Sequence, residues 1–352
     1  MKRFLSLFLA LLIIFSSMTV LFSCKKDKDD KPQAPIDDTY EEGTIFAERA
    51  AVDDGLEDHD YGGRKFRVVC LNYAEDNWVV TEEELNQGDL IIDAKYKRTQ
   101  NVKERFNVDF EIVYSGMYNE IDEYVSKTVL AASDEFDLMD GMVMSMGGLV
   151  IKDLFLNWYD IENIDFSRPW WYETNSTELT YDNKAVIAIS HLNYSAVGGS
   201  ICLFYNKDMA AAYELGNLYE VVLAGDWTFD YFMDLISEIY ADNGNDVRDE
   251  NDTYGMVQGA GTSINSYLWA FDNSVCKKNS DGVPAVSVMT DKIDSIISSM
   301  YDFCFNTNGV YYDPNGSQGG YSAYAVDMFL EKKAIFTQQA LSTATNEDMR
   351  NF

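Results

Sequence analysis

Short apolar runs alternate with amphipathic stretches from Gly63 onward. The run Lys65–Tyr73 reads KFRVVCLNY, and polar and aromatic residues follow it. A run of β-formers that ends in polar residues is typical of a buried strand. Apolar residues recur at helical spacing over Asp93–Phe106, and Asn107 is a residue that often ends helices. Apolar and polar residues then alternate over Val108–Tyr114, which predicts a second strand.

The same order of elements continues. The pattern predicts a helix over Ile121–Ala132 and a third strand over Phe136–Met142. Strands that alternate with helices are typical of a parallel sheet, and ligands of such sheets bind beyond the carboxyl ends of the strands. The segments that follow the three predicted strands are therefore candidate edges of a site. They are Asn72–Trp78, Ser115–Tyr118 and Asp140–Ser145.

Two more β-rich runs, Val186–Ser190 and Ser200–Tyr205, flank a polar bend that contains glycine, His191–Gly199. We interpret this stretch as a crossing between two α/β lobes, with the bend as hinge and cleft lining. The predicted first lobe is 62–189, the hinge is 190–205, and the second lobe is 206–352.

The region after the crossing is rich in helical patterns. A helix is predicted over Asn206–Leu223, and Thr228 is placed to cap the next one, Phe229–Tyr240, with Trp227 packing beside the cap. The remaining predicted elements are two strands, Thr253–Gln258 and Ala334–Thr337, and two helices, Asp294–Phe305 and Tyr324–Glu331.

The composition of the chain excludes several classes of function. The chain has 352 residues, 27 basic and 59 acidic, and a net charge of −32, which repels nucleic acid. No phosphate-binding loop and no hydrolase motif occurs in the sequence. With only two histidines, His59 and His191, a site made of several histidines is excluded. Cys70 and Cys202 lie in apolar runs and are expected to be buried, whereas a pairing of Cys276 with Cys304 is left open.

The amino terminus has the pattern of a targeting signal. Residues 1–23 have a basic start and a long apolar run, and Cys24 follows. This resembles a bacterial lipoprotein signal, in which Cys24 would carry the lipid, although Phe22 stands where a small residue is usual. A plain signal-anchor helix is the alternative. Residues 24–61 are polar and acidic and predict a disordered tether, so the folded part is expected outside the cytoplasm, anchored to the membrane.

An acidic stretch is the candidate metal site. Calcium loops supply oxygen ligands at alternate positions around a glycine turn. The stretch 242–252 fits this pattern imperfectly, so a solvated acidic loop is the competing interpretation. The candidate calcium ligands are Asp242, Asn243, Asn245, Asp249 and Asp252.

Several segments together resemble a known family, the extracellular solute-binding proteins of ATP-driven importers (family 1), which include maltodextrin-binding and other sugar-binding members. The YNKD ending of the crossing and the W-T start of the helix Phe229–Tyr240, at this spacing, are together the more specific parts. The matching segments are KFRVVCLNY, NVKERFNVDFEIVY, FDLMDGM, LFLNWYDIENIDFSRPWWYE, LFYNKDMA, GDWTFDYFMDLI and DMFLEKKAIF.

The resemblance implies a two-lobed periplasmic-binding-protein-like fold of type II, each lobe a mainly parallel sheet with flanking helices. It implies a monomer that needs no cofactor, is not an enzyme, and passes a solute, expected to be a carbohydrate, to the permease of an ABC transporter. The aromatic-rich insert is similar to members from Gram-positive bacteria. A glycan-binding or adhesion lipoprotein without a transporter, and a glycoside hydrolase, remain alternatives. Family members return to the first lobe after the second, so the end at Phe352 leads us to expect a truncated chain that lacks the return crossing.

Sugars present flat C–H faces and many hydroxyls, so their sites combine aromatic rings with carboxylates and amides. Trp78 is a candidate to stack on ligand or to lie in the core, and so is Trp269; Trp170 and Trp171 are expected to pack the first lobe. The candidate ligand-binding residues are Asn72, Tyr73, Asp76, Trp78, Tyr118, Asp140, His191, Asn193, Tyr194 and Trp269.

Overall fold

The computed structural model describes residues 44–85, 89–260, 262–313 and 323–352. The chain divides into two compact units, Met1–Gly55 and Leu56–Phe352. In the first unit, Thr44 caps helix α1 (Ile45–Ala50), and its side chain accepts a hydrogen bond from the backbone N–H of Ala47. The predicted signal, Cys24 and most of the predicted tether lie outside the described residues. The strands that the structure describes all lie in the second unit.

Helices and strands alternate along this unit. Its helices are α2 (Glu82–Leu85), α3 (Leu90–Phe106), α4 (Tyr118–Leu130), α5 (Val143–Ile151), α6 (Thr174–Thr177), α7 (Ser195–Gly198), α8 (Lys207–Ala212), α9 (Leu218–Ala224), α10 (Phe229–Ile236), α11 (Thr262–Ala270), α12 (Ile293–Tyr301), α13 (Ala323–Leu330) and α14 (Glu347–Asn351). Its strands are β1 (Arg64–Leu71), β2 (Val108–Gly116), β3 (Leu138–Asp140), β4 (Thr180–Tyr181), β5 (Lys184–Ala185), β6 (Ile201–Tyr205), β7 (Tyr240–Ala241), β8 (Thr253–Gly259), β9 (Cys276–Lys278), β10 (Pro284–Val286), β11 (Val310–Asp313) and β12 (Ala334–Ala340).

The first sheet has the order β2-β1-β3 and is parallel throughout. Val68, Val69 and Cys70 of its central strand are fully buried, which confirms the predicted buried strand. Helix α3 ends at Asn107, which adopts the left-handed conformation (φ 46°) as the sequence predicts. The carboxyl ends of β1 and β3 lie side by side, because Cys70 pairs with Asp140.

The second sheet has the order β11-β8-β12-β6, with β7 beside β8. Strands β8, β11 and β12 are parallel, whereas β6 and β7 are antiparallel to their neighbours. All seven residues of β12 are buried. Each of the two sheets has its own apolar core. The predicted fold class, α/β with mainly parallel sheets and flanking helices, is confirmed.

The start of the second half follows the prediction closely. The hydroxyl of Thr228 caps α10 by accepting a hydrogen bond from the N–H of Tyr231 at 3.1 Å. Trp227 packs against Phe232 and Phe336, with ring centroids 5.6 and 6.3 Å apart. The predicted helix cap and its packing tryptophan are both confirmed.

The predicted long helices around this point are shorter in the structure. Left-handed backbone at Glu214 and Gly216 divides the predicted helix Asn206–Leu223 into α8 and α9. Helix α10 ends at Ile236 because Tyr240 pairs with β8 instead of continuing the helix.

The predicted strand Val186–Ser190 is wrong. Only an isolated bridge between Ser190 and Trp171 occurs there. The side chain of Asn175 binds both backbone polar groups of Ile189. Its amide nitrogen donates to the Ile189 carbonyl and its amide oxygen accepts from the Ile189 N–H, both at 2.6 Å. The Ile189 carbonyl also accepts from the N–H of Tyr172 at 3.3 Å, and the N–H of His191 donates to the carbonyl of Trp170 at 2.9 Å. The segment is therefore extended, but its backbone pairing stops at this one bridge.

The chain returns to the bend after the second sheet. Strand β12 runs antiparallel to β6, and its last residue, Ala340, lies opposite Ile201. The N–H of Leu341 then donates to the carbonyl of Ser200 at 2.8 Å, and the 3₁₀ turn Leu341–Thr345 lies beside α7. The expected lack of a return crossing to the first lobe stays a prediction of the sequence. None of the helices that the structure describes has the length and apolarity that a membrane crossing requires.

Candidate functional site

A cavity of about 380 Å³ opens beyond the carboxyl ends of β1 and β3. This is the place that the topology of a parallel sheet predicts for a ligand. One wall comes from the loop after β1, a second from the loop after β3, and a third from the polar bend. Its lining residues are Leu71, Tyr73, Ala74, Trp78, Leu138, Met139, Asp140, Gly141, Met142, Val143, Trp158, Trp171, Ala188, Ile189, Ser190, Leu192, Asn193, Ser195 and Ala196.

Four aromatic side chains stand in this wall. Tyr73 is 55% exposed and therefore accessible to a ligand, whereas Trp78 is only 6% exposed. Trp158 and Trp171 meet edge to face, with centroids 6.1 Å apart. Sequence reasoning did not select this tryptophan pair. The clustering of aromatic residues in LFLNWYD and SRPWWYE was the available signal.

Trp78 is fixed by a polar contact at its edge. The indole Nε1–H donates to Oδ2 of Asp140 at 2.9 Å. The ring packs against Phe110, with centroids 5.9 Å apart, in a small core with Val68 and Cys70. Of the two roles that the sequence allowed, Trp78 has the buried one, with its edge on the cavity wall.

Asp140 is the acidic group of the cavity. In addition to the Trp78 indole, its carboxylate accepts from the Asn193 amide at 3.1 Å and from the Asn77 amide at 3.5 Å. Burial raises the pKa of the Asp140 carboxyl, and these three hydrogen bonds and the charge of Lys95 offset only part of that rise. No Lys, Arg or His side chain occurs among the lining residues.

Asn193 connects the polar bend to Asp140. Its amide oxygen accepts from the N–H of Ser195 at 2.9 Å, which leaves the amide nitrogen directed to Asp140. Leu192 beside it packs into the small core around Trp78. The bend is therefore attached to the first sheet by both a polar and an apolar contact.

The structure brings four of the ten predicted ligand-binding residues into this one cavity, namely Tyr73, Trp78, Asp140 and Asn193. The other six, all in the described part of the chain, lie outside its lining. Three of them follow strands of the first sheet. Asn72 is exposed beside the cavity, Asp76 forms an ion pair with Lys95 at 2.7 Å, and Tyr118 begins α4.

The last three predicted residues lie farther along the chain. His191 is exposed and packs edge to face on Tyr172, with centroids 5.0 Å apart. Tyr194 immediately precedes α7. Trp269 is 66% exposed on α11, so of the two roles that the sequence allowed, packing in the core is wrong. Trp171, which was expected only to pack the first lobe, lines the cavity as well.

A second cavity of about 450 Å³ continues along β3. Apolar side chains such as Phe66, Leu154 and Ile187 dominate its lining. Asp137, one of its two acids, is already bound to Arg64 and Arg67. Because polar groups give a site its orientation and specificity, the first cavity is the candidate site.

The acidic loop 242–252 uses its polar side chains internally. Asp252 is fully buried, and its carboxylate accepts from the backbone N–H of Asn243 at 3.0 Å, the N–H of Asp249 at 3.1 Å and the hydroxyl of Tyr240 at 2.9 Å. Within the described residues no group of three His, Cys, Asp or Glu side chains is arranged to hold a metal ion. Calcium binding by Asp242, Asn243, Asn245, Asp249 and Asp252 stays a prediction of the sequence.

The cysteines that the structure describes are all free thiols. Cys70 is fully buried, and burial raises the pKa of its thiol to about 12. Cys276 is exposed and Cys304 is buried, so these two do not form the disulfide that the sequence left open.

Neither protein-family models nor curated proteins match this sequence. Among solved structures, an ABC substrate-binding protein from Listeria monocytogenes in complex with cycloalternan is 12% identical, with a TM-score of 0.40 over 79% of this chain. An ABC transporter solute-binding protein from Agrobacterium radiobacter K84 in complex with ribitol is 13% identical, with a TM-score of 0.43 over 80% of this chain. The chain spans 61% of the length of each.

Proposed function

We propose that this protein is the solute-binding component of an ABC importer. In this proposal it is a lipoprotein anchored at Cys24 outside the cytoplasm. It captures a carbohydrate in a cleft between two lobes and delivers it to a membrane permease without chemical change. The observation that supports this function best is the aromatic-walled cavity at the ends of β1 and β3, with one carboxylate and one amide directed into its wall.

The chemistry of the wall favours a neutral, polyhydroxylated ligand. Aromatic rings such as Tyr73 and Trp171 offer flat apolar faces for the C–H faces of a sugar. The Asp140 carboxylate can accept hydrogen bonds from hydroxyls, and the Ser190 hydroxyl, which accepts from the N–H of Leu192, can donate one. Because none of the described residues that line the cavity is cationic and the net charge is −32, anionic sugars would be repelled. A cavity of about 380 Å³ has the volume of a small-molecule site.

The test is a thermal-shift screen of the full-length protein, followed by calorimetry on each hit. The panel contains neutral mono- and oligosaccharides, polyols such as ribitol, and uronic acids and sugar phosphates as anionic counterparts. A ligand that binds only the folded state at 100 times its Kd stabilises it by about 2.7 kcal/mol and raises the melting temperature. We expect shifts from neutral carbohydrates alone. A complete panel without a shift would contradict the proposal, and release of a cleaved product would favour a hydrolase.

Two variants connect a hit to the cavity. Trp171→Phe keeps an apolar ring but reduces the stacking face, and we expect it to weaken binding about tenfold. Trp269→Phe is the matched control, because this tryptophan is 66% exposed and lies outside the lining. Equal effects of the two changes would place the ligand elsewhere.

A further inference from the structure

Arg98 on α3 joins two segments that are distant in sequence. One guanidinium nitrogen donates to the carbonyl of Leu192 in the bend at 2.9 Å, and the other donates to the carbonyl of Asn77 in the loop after β1. Arg98 has no carboxylate partner within ion-pair distance in the described part of the chain, which differs from Arg67 with its two aspartates. Burial lowers the pKa of the Arg98 guanidinium, and the charge of Asp76 offsets only part of that. Partial burial of a cation that is bound only to carbonyls costs free energy. This arrangement of Arg98 therefore indicates a specific role.

The two carbonyls occupy equivalent places relative to Asp140. Asn77 directly precedes Trp78, whose indole donates to Oδ2 of Asp140. Leu192 directly precedes Asn193, whose amide donates to Oδ1 of the same carboxylate. Arg98 therefore binds the residue directly before each of the two side chains that donate hydrogen bonds to Asp140.

We propose that Arg98 is the positioning residue of the cavity: by bridging the carbonyls of Asn77 and Leu192, it holds Trp78 and Asn193 at the spacing that orients the carboxylate of Asp140. The planar guanidinium suits this role because its N–H groups diverge in fixed directions. A lysine at this position has a single ammonium on a flexible stem and does not span two carbonyls with the same rigidity. Arg98 itself lies outside the cavity lining, so it acts through these residues and not on a ligand.

The first readout needs no ligand. The indole Nε1–H of Trp78 is observed in a ¹H–¹⁵N spectrum, among the resonances of six tryptophans, and is assigned by its loss in Trp78→Phe. In the unaltered protein we expect it to exchange slowly with solvent and to shift when Asp140 is protonated. In Arg98→Met we expect exchange to become at least about tenfold faster, the size expected for the loss of one hydrogen bond. Arg98→Lys keeps the positive charge but lacks the planar guanidinium with its diverging N–H groups. We expect exchange of the Trp78 indole N–H to be fast in this variant as well.

Arg64→Met is the matched control. This arginine lies on β1 and forms an exposed ion pair with Asp137 at 2.9 Å, so its loss leaves the Trp78 indole unchanged. If Arg98→Met does not fold, Arg98→Lys alone decides the question, and slow exchange in it overturns the proposal. Slow exchange in a folded Arg98→Met overturns it as well.

The second readout is ligand affinity, and this part rests on the proposed function. For a carbohydrate that binds the unaltered protein, we expect both Arg98 variants to raise Kd at least about tenfold. A panel without any ligand, together with faster indole exchange, contradicts the proposed function and supports the positioning role. Unchanged Kd and unchanged exchange contradict the positioning role alone.

Discussion

The side-chain amide of Asn193 donates a hydrogen bond of 3.1 Å to Asp140, which lies 53 positions earlier in the chain. This bond joins the polar bend to the carboxyl end of the first sheet. It also gives Oδ1 of Asp140 a donor while the Trp78 indole binds Oδ2, so that a carboxylate with a raised pKa has a partner at each oxygen.

Asn193→Ala removes one of these donors. The half-buried carboxylate then loses a partner, and we expect the free energy of unfolding to fall by about 2 kcal/mol. Urea unfolding at an unchanged m-value measures the loss. Asn306→Ala is the control, because the Asn306 amide bonds to Asp302 at 2.6 Å on the surface, and its loss should cost less than about 0.5 kcal/mol. Losses of equal size would show that burial of Asp140 has no energetic consequence.

The raised pKa of Asp140 predicts the sign of a pH effect. The folded state binds a proton more tightly than the unfolded state, whose aspartate titrates near about pH 3.9. Between the two pKa values the folded state carries more protons, so the Asp140 contribution to stability falls as pH rises and is constant above the folded pKa.

Asp140→Asn isolates that contribution. We expect the stability difference, unaltered protein minus Asp140→Asn, to decrease as pH rises from about 3.5 to 7. Asp137 acts in the opposite direction. Burial would raise the pKa of its carboxyl, but hydrogen bonds from Arg67 lower it. Because Asp137 is present in both proteins, its contribution to the pH dependence cancels in the stability difference. A difference that grows with pH, measured by urea unfolding at each pH, would show that the pKa of Asp140 is lowered.

Gly309 has no room for a side chain. A Cβ placed on it would lie 1.7 Å from the carbonyl oxygen of Ile236, which is backbone and cannot rotate away. We expect Gly309→Ala to prevent folding or to cost more than about 4 kcal/mol. Gly147 in α5 has open space around its Cβ position, so Gly147→Ala should stabilise the protein by about 0.5–1 kcal/mol through helix propensity. Melting temperatures of the pair check both signs.

The acidic loop predicts how the protein responds to calcium. The donors around Asp252 already occupy its oxygens, and the Arg248 guanidinium lies over the rings of Tyr240 and Tyr254 at 4.7 and 4.9 Å. We expect millimolar calcium to leave the melting temperature unchanged and Asp252→Ala to lower it with or without calcium. A calorimetric calcium stoichiometry that Asp252→Ala removes would instead support the calcium loop of the sequence pattern.

The pKa of Asp252 gives this loop a pH dependence of its own. Burial would raise the pKa of its carboxyl, but the backbone N–H groups of Asn243 and Asp249 and the hydroxyl of Tyr240 more than offset that, and the pKa is lowered. The stabilisation is therefore present above the unfolded pKa and is lost as pH falls through the folded one. Asp252→Asn should abolish that acid-side loss, as unfolding curves at neutral and acid pH would show.

Local pattern was sufficient for several of the regular elements. The apolar run at β1, the helical spacing at α3 and the cap at Thr228 each depend on residues within about one or two turns, so they can be read without knowledge of the fold. The position of the site beyond β1 and β3 was also predictable, because it follows from strand order alone. Val186–Ser190 was mispredicted for the same reason. Its composition is that of a strand, but its backbone pairing is limited to the bridge between Ser190 and Trp171, and the Asn175 side chain binds the N–H and carbonyl of Ile189.

The sequence by itself determined elements such as β1, α3 and the start of α10, because alternation, helical spacing and capping residues act within one element. Only the tertiary structure decided that Trp78 lies under Asp140, that Arg98 reaches Leu192, and that Trp269 is exposed. The contacts of Asp140 with Trp78 and Asn193 and that of Arg98 with Leu192 span 62, 53 and 94 positions. They depend on how the sheet, its covering helix and the bend pack together, and no pattern within a single element specifies that packing.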